Sequence, residues 1–272
     1  MVKNGLKAAL VSLSLVLTLS CTIAPTYSRR DIDKSIKKIC EEEFNINVKS
    51  WLVQDTIWVY APFKKVFDDN FSWEKETLEN VRKIFLALSR VLLSMDERPS
   101  FFIFVVSDVE KSGSDLYYIG FIPDMMKMQK LFISLGQWQE REVIMSFLNP
   151  QALGDYQGYH IKKYNLTMGE FISYLINQNV RKYFTAPQTK DVFQINNLKT
   201  GYANGKLSIL LDISVIKDDA TGLADPLRVT KETAGKLLKI YSDFDEISEI
   251  EIIDAVNNRQ HSYSKKELLG GS

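Results

Sequence analysis

The sequence predicts an α+β fold of repeated helix–strand–strand units, forming antiparallel sheets with helices packed on one face. Three observations carry this. Apolar residues recur at helical spacing in several windows of ten or more residues. Between those windows stand short runs rich in Val, Ile, Phe and Tyr, arranged in pairs. Turn residues join the members of each pair: Gln54-Asp55, 111–115 around Gly113, Asn204-Gly205 and Asn257-Asn258. Read in order, helix–strand–strand occurs four times, which two α+β halves would account for. The loop 150–160, with Pro150, Gly154 and Gly158, divides the chain at 29–150 and 151–272, as two units or as two parts of one domain.

Each element has its own warrant. Ile32, Ile36, Ile39 and Phe44 predict a helix over 31–44, and the runs 46–53 and 56–62 read as a hairpin. Ser72 is the expected N-cap of a helix over 73–95. Leu78, Val81, Phe85, Leu88, Leu92 and Met95 form its stripe, widened by Ile84 and Val91. So broad a face must pack on a sheet or another helix. Residues 101–106 are apolar in succession, as in a central strand covered on both faces, and 116–122 is its partner. Pro123 opens a helical stretch over 124–148, interrupted near Gly136. Thr167 and Glu170 form a capping box before a helix over 168–184. Strands follow at 192–198 and 206–216. Along the second, Leu207, Ile209, Leu211, Ile213 and Val215 alternate, so one face is buried. A loop over 217–228, a helix over 230–243, a strand over 247–256 and a short strand near 261–264 complete the chain.

The first residues carry an address. Lys3 and Lys7 make a positive start, and residues 8–20 are uncharged and free of proline. That core is shorter than the roughly 20 residues of a spanning helix and suits a secretory signal over 1–20. Leu17-Thr18-Leu19-Ser20-Cys21 resembles the lipobox of bacterial lipoprotein precursors. The resemblance covers the signal alone. It implies that Cys21 is acylated through its thiol and becomes the mature N-terminus, with 21–28 a lipidated tether. Diacylglycerol and an N-acyl chain together suffice for stable attachment to a membrane. It further implies an exported, membrane-anchored lipoprotein facing the periplasm or cell surface. Thr22 after the cysteine implies the outer membrane where a cell has two.

Composition excludes some classes. The chain is 45% hydrophobic and 11% aromatic, enough for a real core and unlike a disordered stalk. Without Lys3 and Lys7 the mature chain holds 32 basic against 34 acidic residues. That balance argues for no nucleic-acid partner and no second membrane contact. Once Cys21 is lipidated, Cys40 stands alone and reads as a small buried hydrophobe on its helix.

Candidate chemistry is sparse. Two histidines occur in the whole chain. Asp155, Tyr159 and His160 sit beside glycines and could line a ligand site, with Asp155 orienting His160 as a base; a surface loop resting its rings on the domain is the plainer reading. His261 reads as solvated or edge-strand. Asp218, Asp219 and Asp225 cluster near Gly222 without the spacing of a calcium loop, and a solvated turn is expected. No phosphate loop, H-E-x-x-H, C-x-x-C or G-x-S-x-G is present. No catalytic residue, metal or cofactor is therefore expected. The leading expectation is a non-catalytic, lipid-anchored protein of the cell envelope, held to the membrane through Cys21, that binds or scaffolds another envelope component. The alternatives are an exported hydrolase using Asp155 and His160 or an unidentified carboxylate pair, and a solute- or glycan-binding lipoprotein.

Overall fold

The computed structural model describes residues 27–68, 70, 72–95, 97–217 and 225–270. The signal, Cys21, Asp218 and Asp219 lie outside the described residues. The fold is α+β, and the four expected helix–strand–strand units are all present. In the first half these are α1 (Ile32–Phe44), β1 (Lys49–Val53), β2 (Thr56–Phe63), then α2 (Lys75–Leu93), β3 (Phe101–Asp108) and β4 (Ser114–Phe121). Two short helices, α3 (Ile122–Gln129) and α4 (Leu135–Gln139), lead to a fifth strand, β5 (Val143–Leu148). The second half runs α5 (Met168–Phe184), β6 (Phe193–Ala203), β7 (Lys206–Val215), α6 (Pro226–Ile240), β8 (Glu249–Asp254), β9 (Arg259–Ser264) and α7 (Lys265–Leu268).

Both halves share one connectivity. Each has two antiparallel hairpins whose inner strands lie parallel: β2 beside β3, and β7 beside β8. The sheets, ordered β1-β2-β3-β4-β5 and β6-β7-β8-β9, are therefore mixed rather than wholly antiparallel. The cause is the helix between hairpins. A connection carrying α2 or α6 returns the chain to the same end of the sheet, which yields a parallel neighbour.

Two hydrophobic cores hold the layers together. On one face of the first sheet, Ile57, Val59, Phe102 and Phe104 meet Ile36 of α1 and Leu88 of α2. Six residues of α2 between Val81 and Leu92 are apolar and buried. Each aliphatic side chain so buried contributes about 1.5–3 kcal/mol. The other face of β3, with Phe101, Ile103 and Val105, packs into a core shared with α5, α6 and the inner face of the second sheet. The run 101–106 is thus covered on both sides, and its six residues are at most 4% exposed. The second sheet has its helices on one face, and β7 alternates buried and half-buried residues from Lys206 to Ser214, leaving Val215, expected on the buried face, exposed at its end.

Local chemistry adjusts several boundaries. Glu74, not Ser72, caps α2, its side chain accepting from the Thr77 N–H at 2.8 Å. The capping box of Thr167 and Glu170 is formed at α5. Asn204 and Gly205 both adopt positive φ, as a two-residue hairpin turn of this type requires. Residues 143–148, expected within a helical stretch, are strand β5, because β4 offers them an open edge to pair with. The residues after β9 form α7, with its own capping box of Ser264 and Glu267. Among the described residues no helix is long and apolar enough to cross a membrane.

Candidate functional site

The 150–160 loop folds back over the β3–β4 hairpin, and Asp155 organises it. Its carboxylate accepts the backbone N–H groups of Gln157, Gly158 and His160 at 2.9, 2.8 and 2.8 Å. Gly158 lies at φ +71°, and a Cβ there would stand 2.9 Å from the Tyr60 ring. Glycine alone satisfies both demands. This tight turn delivers His160 inward, where its side chain is 3% exposed, while Tyr159 is left 85% exposed.

His160 is held between two carboxylates. Nδ1 lies 2.6 Å from Asp155, the orientation the sequence suggested. Nε2 lies 3.2 Å from both oxygens of Asp115, whose side chain is 1% exposed. Asp115 in turn accepts from Ser107 and, at 2.9 Å, from Asn149 Nδ2. The Tyr60 hydroxyl donates to the Asp155 carbonyl, and its ring meets His160 edge-on at 5.7 Å. Burial works against the imidazolium, but hydrogen bonds and charge from Asp115 and Asp155 hold the His160 pKa above its ordinary value. Burial likewise works against the Asp155 carboxylate. The N–H and ring donors from His160 outweigh it and keep that pKa low.

Both imidazole nitrogens are engaged, and neither faces a cavity described below. A general base needs a nitrogen within reach of a substrate proton. The geometry therefore makes the cluster a clamp that ties loop 150–160 to β2, β3 and β4. Tyr159, grouped with it in the sequence, points away. Asp115, Ser107 and Asn149 were missed by sequence reasoning. A polar pair ending an otherwise apolar strand, Ser107-Asp108, was the only local signal. Cys40 is fully buried among Ile32, Ile36 and Ile39, and burial pushes its thiol up to about 12, the inert core position expected of it. Among the described residues no group of three or more His, Cys, Asp or Glu could hold a metal ion.

A different feature has the form of a binding site. The edge strands β5 and β6 face each other across α5, enclosing a groove of about 640 Å³. Three polar residues of α5 cover part of the two edges. Gln178 bonds the Ile144 N–H and the Glu142 carbonyl, each at 2.7 Å, and Arg181 and Asn177 reach the Leu198 carbonyl at 2.9 and 3.3 Å. Ile144 therefore turns its N–H outward, whereas Asn149 turns inward to Gly113 at 2.7 Å. By the two-residue period, Ser146 and Leu148 present their main-chain groups outward along the open end of β5. Two of the three side chains there are apolar and exposed, Phe147 by 50% and Leu148 by 80%. The lining holds the cations Arg181 and Lys199 and, among the described residues, no carboxylate. The chain matches no family model, no curated protein and no solved structure.

Proposed function

We propose that this is an exported, lipid-anchored protein of the cell envelope whose work is binding rather than catalysis. It holds another envelope component by an extended, acidic segment laid along β5. The observation that carries this reading is the open edge at Ser146–Leu148. An exposed apolar edge strand is a template for a further strand, and proteins without a use for one usually blunt it. Arg181 and Lys199, unopposed in the groove lining, favour acidic residues on the incoming segment. The anchor rests on the lipobox-like LTLSC and Cys21, and Thr22 favours the outer membrane of a two-membrane cell.

Two measurements test the two parts separately. The intact mass of the protein extracted from envelopes should begin at Cys21 and carry diacylglycerol and an acyl chain. A mass starting at an unmodified residue removes the anchor. Amide hydrogen exchange of the full chain, in envelopes and after purification, tests the edge. Ser146 and Leu148 should exchange more slowly in envelopes. Ser146→Pro removes one outward N–H yet takes no bond from β4, as proline at an edge allows. That variant should lose the slow exchange at Leu148. Equal exchange in envelope-bound and purified protein refutes strand capture at β5.

A further inference from the structure

The face of the first sheet opposite that groove carries a second cavity, of about 390 Å³. It has the size of a small-molecule site, and four elements and the residue before β5 build it. Arg82, Phe85, Leu86 and Ser89 come from one flank of α2, at helical spacing. Tyr118 of β4, Met125 and Met128 of α3, and Trp138 of α4 form the remaining walls. Phe85 and Tyr118 meet edge-on at 5.5 Å, and Ser89 Oγ donates to Met125 Sδ at 3.7 Å, so the walls support one another.

One buried carboxyl enters this largely apolar space. Glu142, just before β5, is 7% exposed, and its Oε1 is buried with no hydrogen-bond partner among the described residues. Gln178 holds the Glu142 carbonyl at 2.7 Å, which fixes the backbone that carries this side chain. Burial pushes its carboxyl up to about 8. A buried carboxyl oxygen without a partner costs about 1–3 kcal/mol or more, and folded proteins keep few of them. A cation brought against the carboxylate from outside would offset that cost through its charge.

We propose that this cavity binds a small organic cation, its ammonium head against Glu142 and its apolar body between Phe85, Tyr118 and Trp138. The carboxylate selects positive charge, and the aromatic faces attract the same charge through their quadrupoles. Met125 and Met128 supply adaptable apolar contact. A bare divalent metal would find a single carboxylate among hydrocarbon walls, far short of the six or more oxygens it needs. Arg82, exposed on the α2 flank, is the other charged group among the described residues lining the cavity. This site is independent of the β5 edge.

The test titrates the full chain with benzyltrimethylammonium and with its uncharged isostere neopentylbenzene, read by tryptophan fluorescence and by melting temperature. The cation should bind and raise the melting temperature. Because Glu142 must give up its proton, affinity should fall about tenfold for each pH unit below about 8 and level off above it. Glu142→Gln, which keeps size and shape, should weaken the cation at least tenfold, about 1.4 kcal/mol. It should leave the isostere unchanged. Arg82→Ala should bind the cation as tightly or more tightly. Three results overturn the proposal: equal binding of the isostere, a Glu142→Gln variant that binds as before, or no cation binding at millimolar concentration in both the native chain and Arg82→Ala.

Discussion

Replacing His160 by Ala tests the clamp most directly. The imidazole bonds Asp155 at 2.6 Å and Asp115 at 3.2 Å, and the two carboxyl side chains are 11% and 1% exposed. The substitution deletes two charge-assisted contacts and leaves two acids facing each other across a small void. Taking one partner from a buried ion pair costs about 3–5 kcal/mol. Asn149 and Ser107 still bond Asp115, and three N–H groups still bond Asp155, so the lower end of that range, about 3 kcal/mol, is expected. Against a typical total of about 5–15 kcal/mol, this is a large fraction. The sign with pH follows from the shift. His160 titrates higher in the folded chain than unfolded, so its stabilisation is fully present below the unfolded value of about 6.5 and is lost as pH rises through the folded value. Urea unfolding of residues 27–272 and of the His160→Ala variant of the same segment, at pH 6 and pH 9, measures this. The variant should lose more at pH 6 than at pH 9. A loss under about 1 kcal/mol, or one identical at both pH values, would refute the clamp as a charged unit.

Two further outcomes probe the cores. Tyr241→Phe removes the hydroxyl that donates to buried Asp124 at 2.7 Å, a contact joining α3 to the end of α6. Asp124 keeps Arg141 at 3.0 Å, so the loss should be about 1–3 kcal/mol in chemical denaturation, with no change in secondary structure by circular dichroism. Cys40, with its thiol pushed up to about 12 and no exposed surface, should not react with a thiol reagent at pH 8 in the folded chain. It should react fully once urea unfolds the protein, and rapid labelling of the native state would contradict the α1 packing.

What the sequence made legible followed from periodicity. The stripe of α2 and the alternation of β7 each leave one arrangement that buries the apolar residues, and both stand where the spacing put them, except that Val215 at the end of β7 is exposed. The unbroken apolar run of β3 announced a strand covered on both faces, and it is. The parallel pairing was also within reach. Between β2 and β3 lie a 19-residue helix and its connections, which is long enough for a crossover and unlike a hairpin. β5 was hidden for a physical reason. Val-Ile-Met-Ser-Phe-Leu has no period that separates strand from helix, and only the free edge of β4 decides it. That one misassignment concealed the groove, since a helix at 143–148 would leave no sheet edge beside β6.

The candidate sites were less legible than the fold because their members meet only across the sheet. Asp155 and His160 lie five residues apart, close enough for the sequence to pair them, although a surface loop was its plainer reading. Asp115, 45 residues from His160, turns that pair from an apparent base into a closed clamp. The same holds for Glu142. In sequence it is one of 34 acidic residues, flanked by Arg141 and an apolar run, with nothing to set it apart. Its distinction comes from β5 pairing with β4, which turns its side chain onto the face that α2 and α3 cover. Helical residues 143–148 would leave that placement undefined. If Glu142→Gln raises stability while abolishing cation binding, the carboxyl is kept at a cost to the fold, and a ligand is the physical reason to keep it.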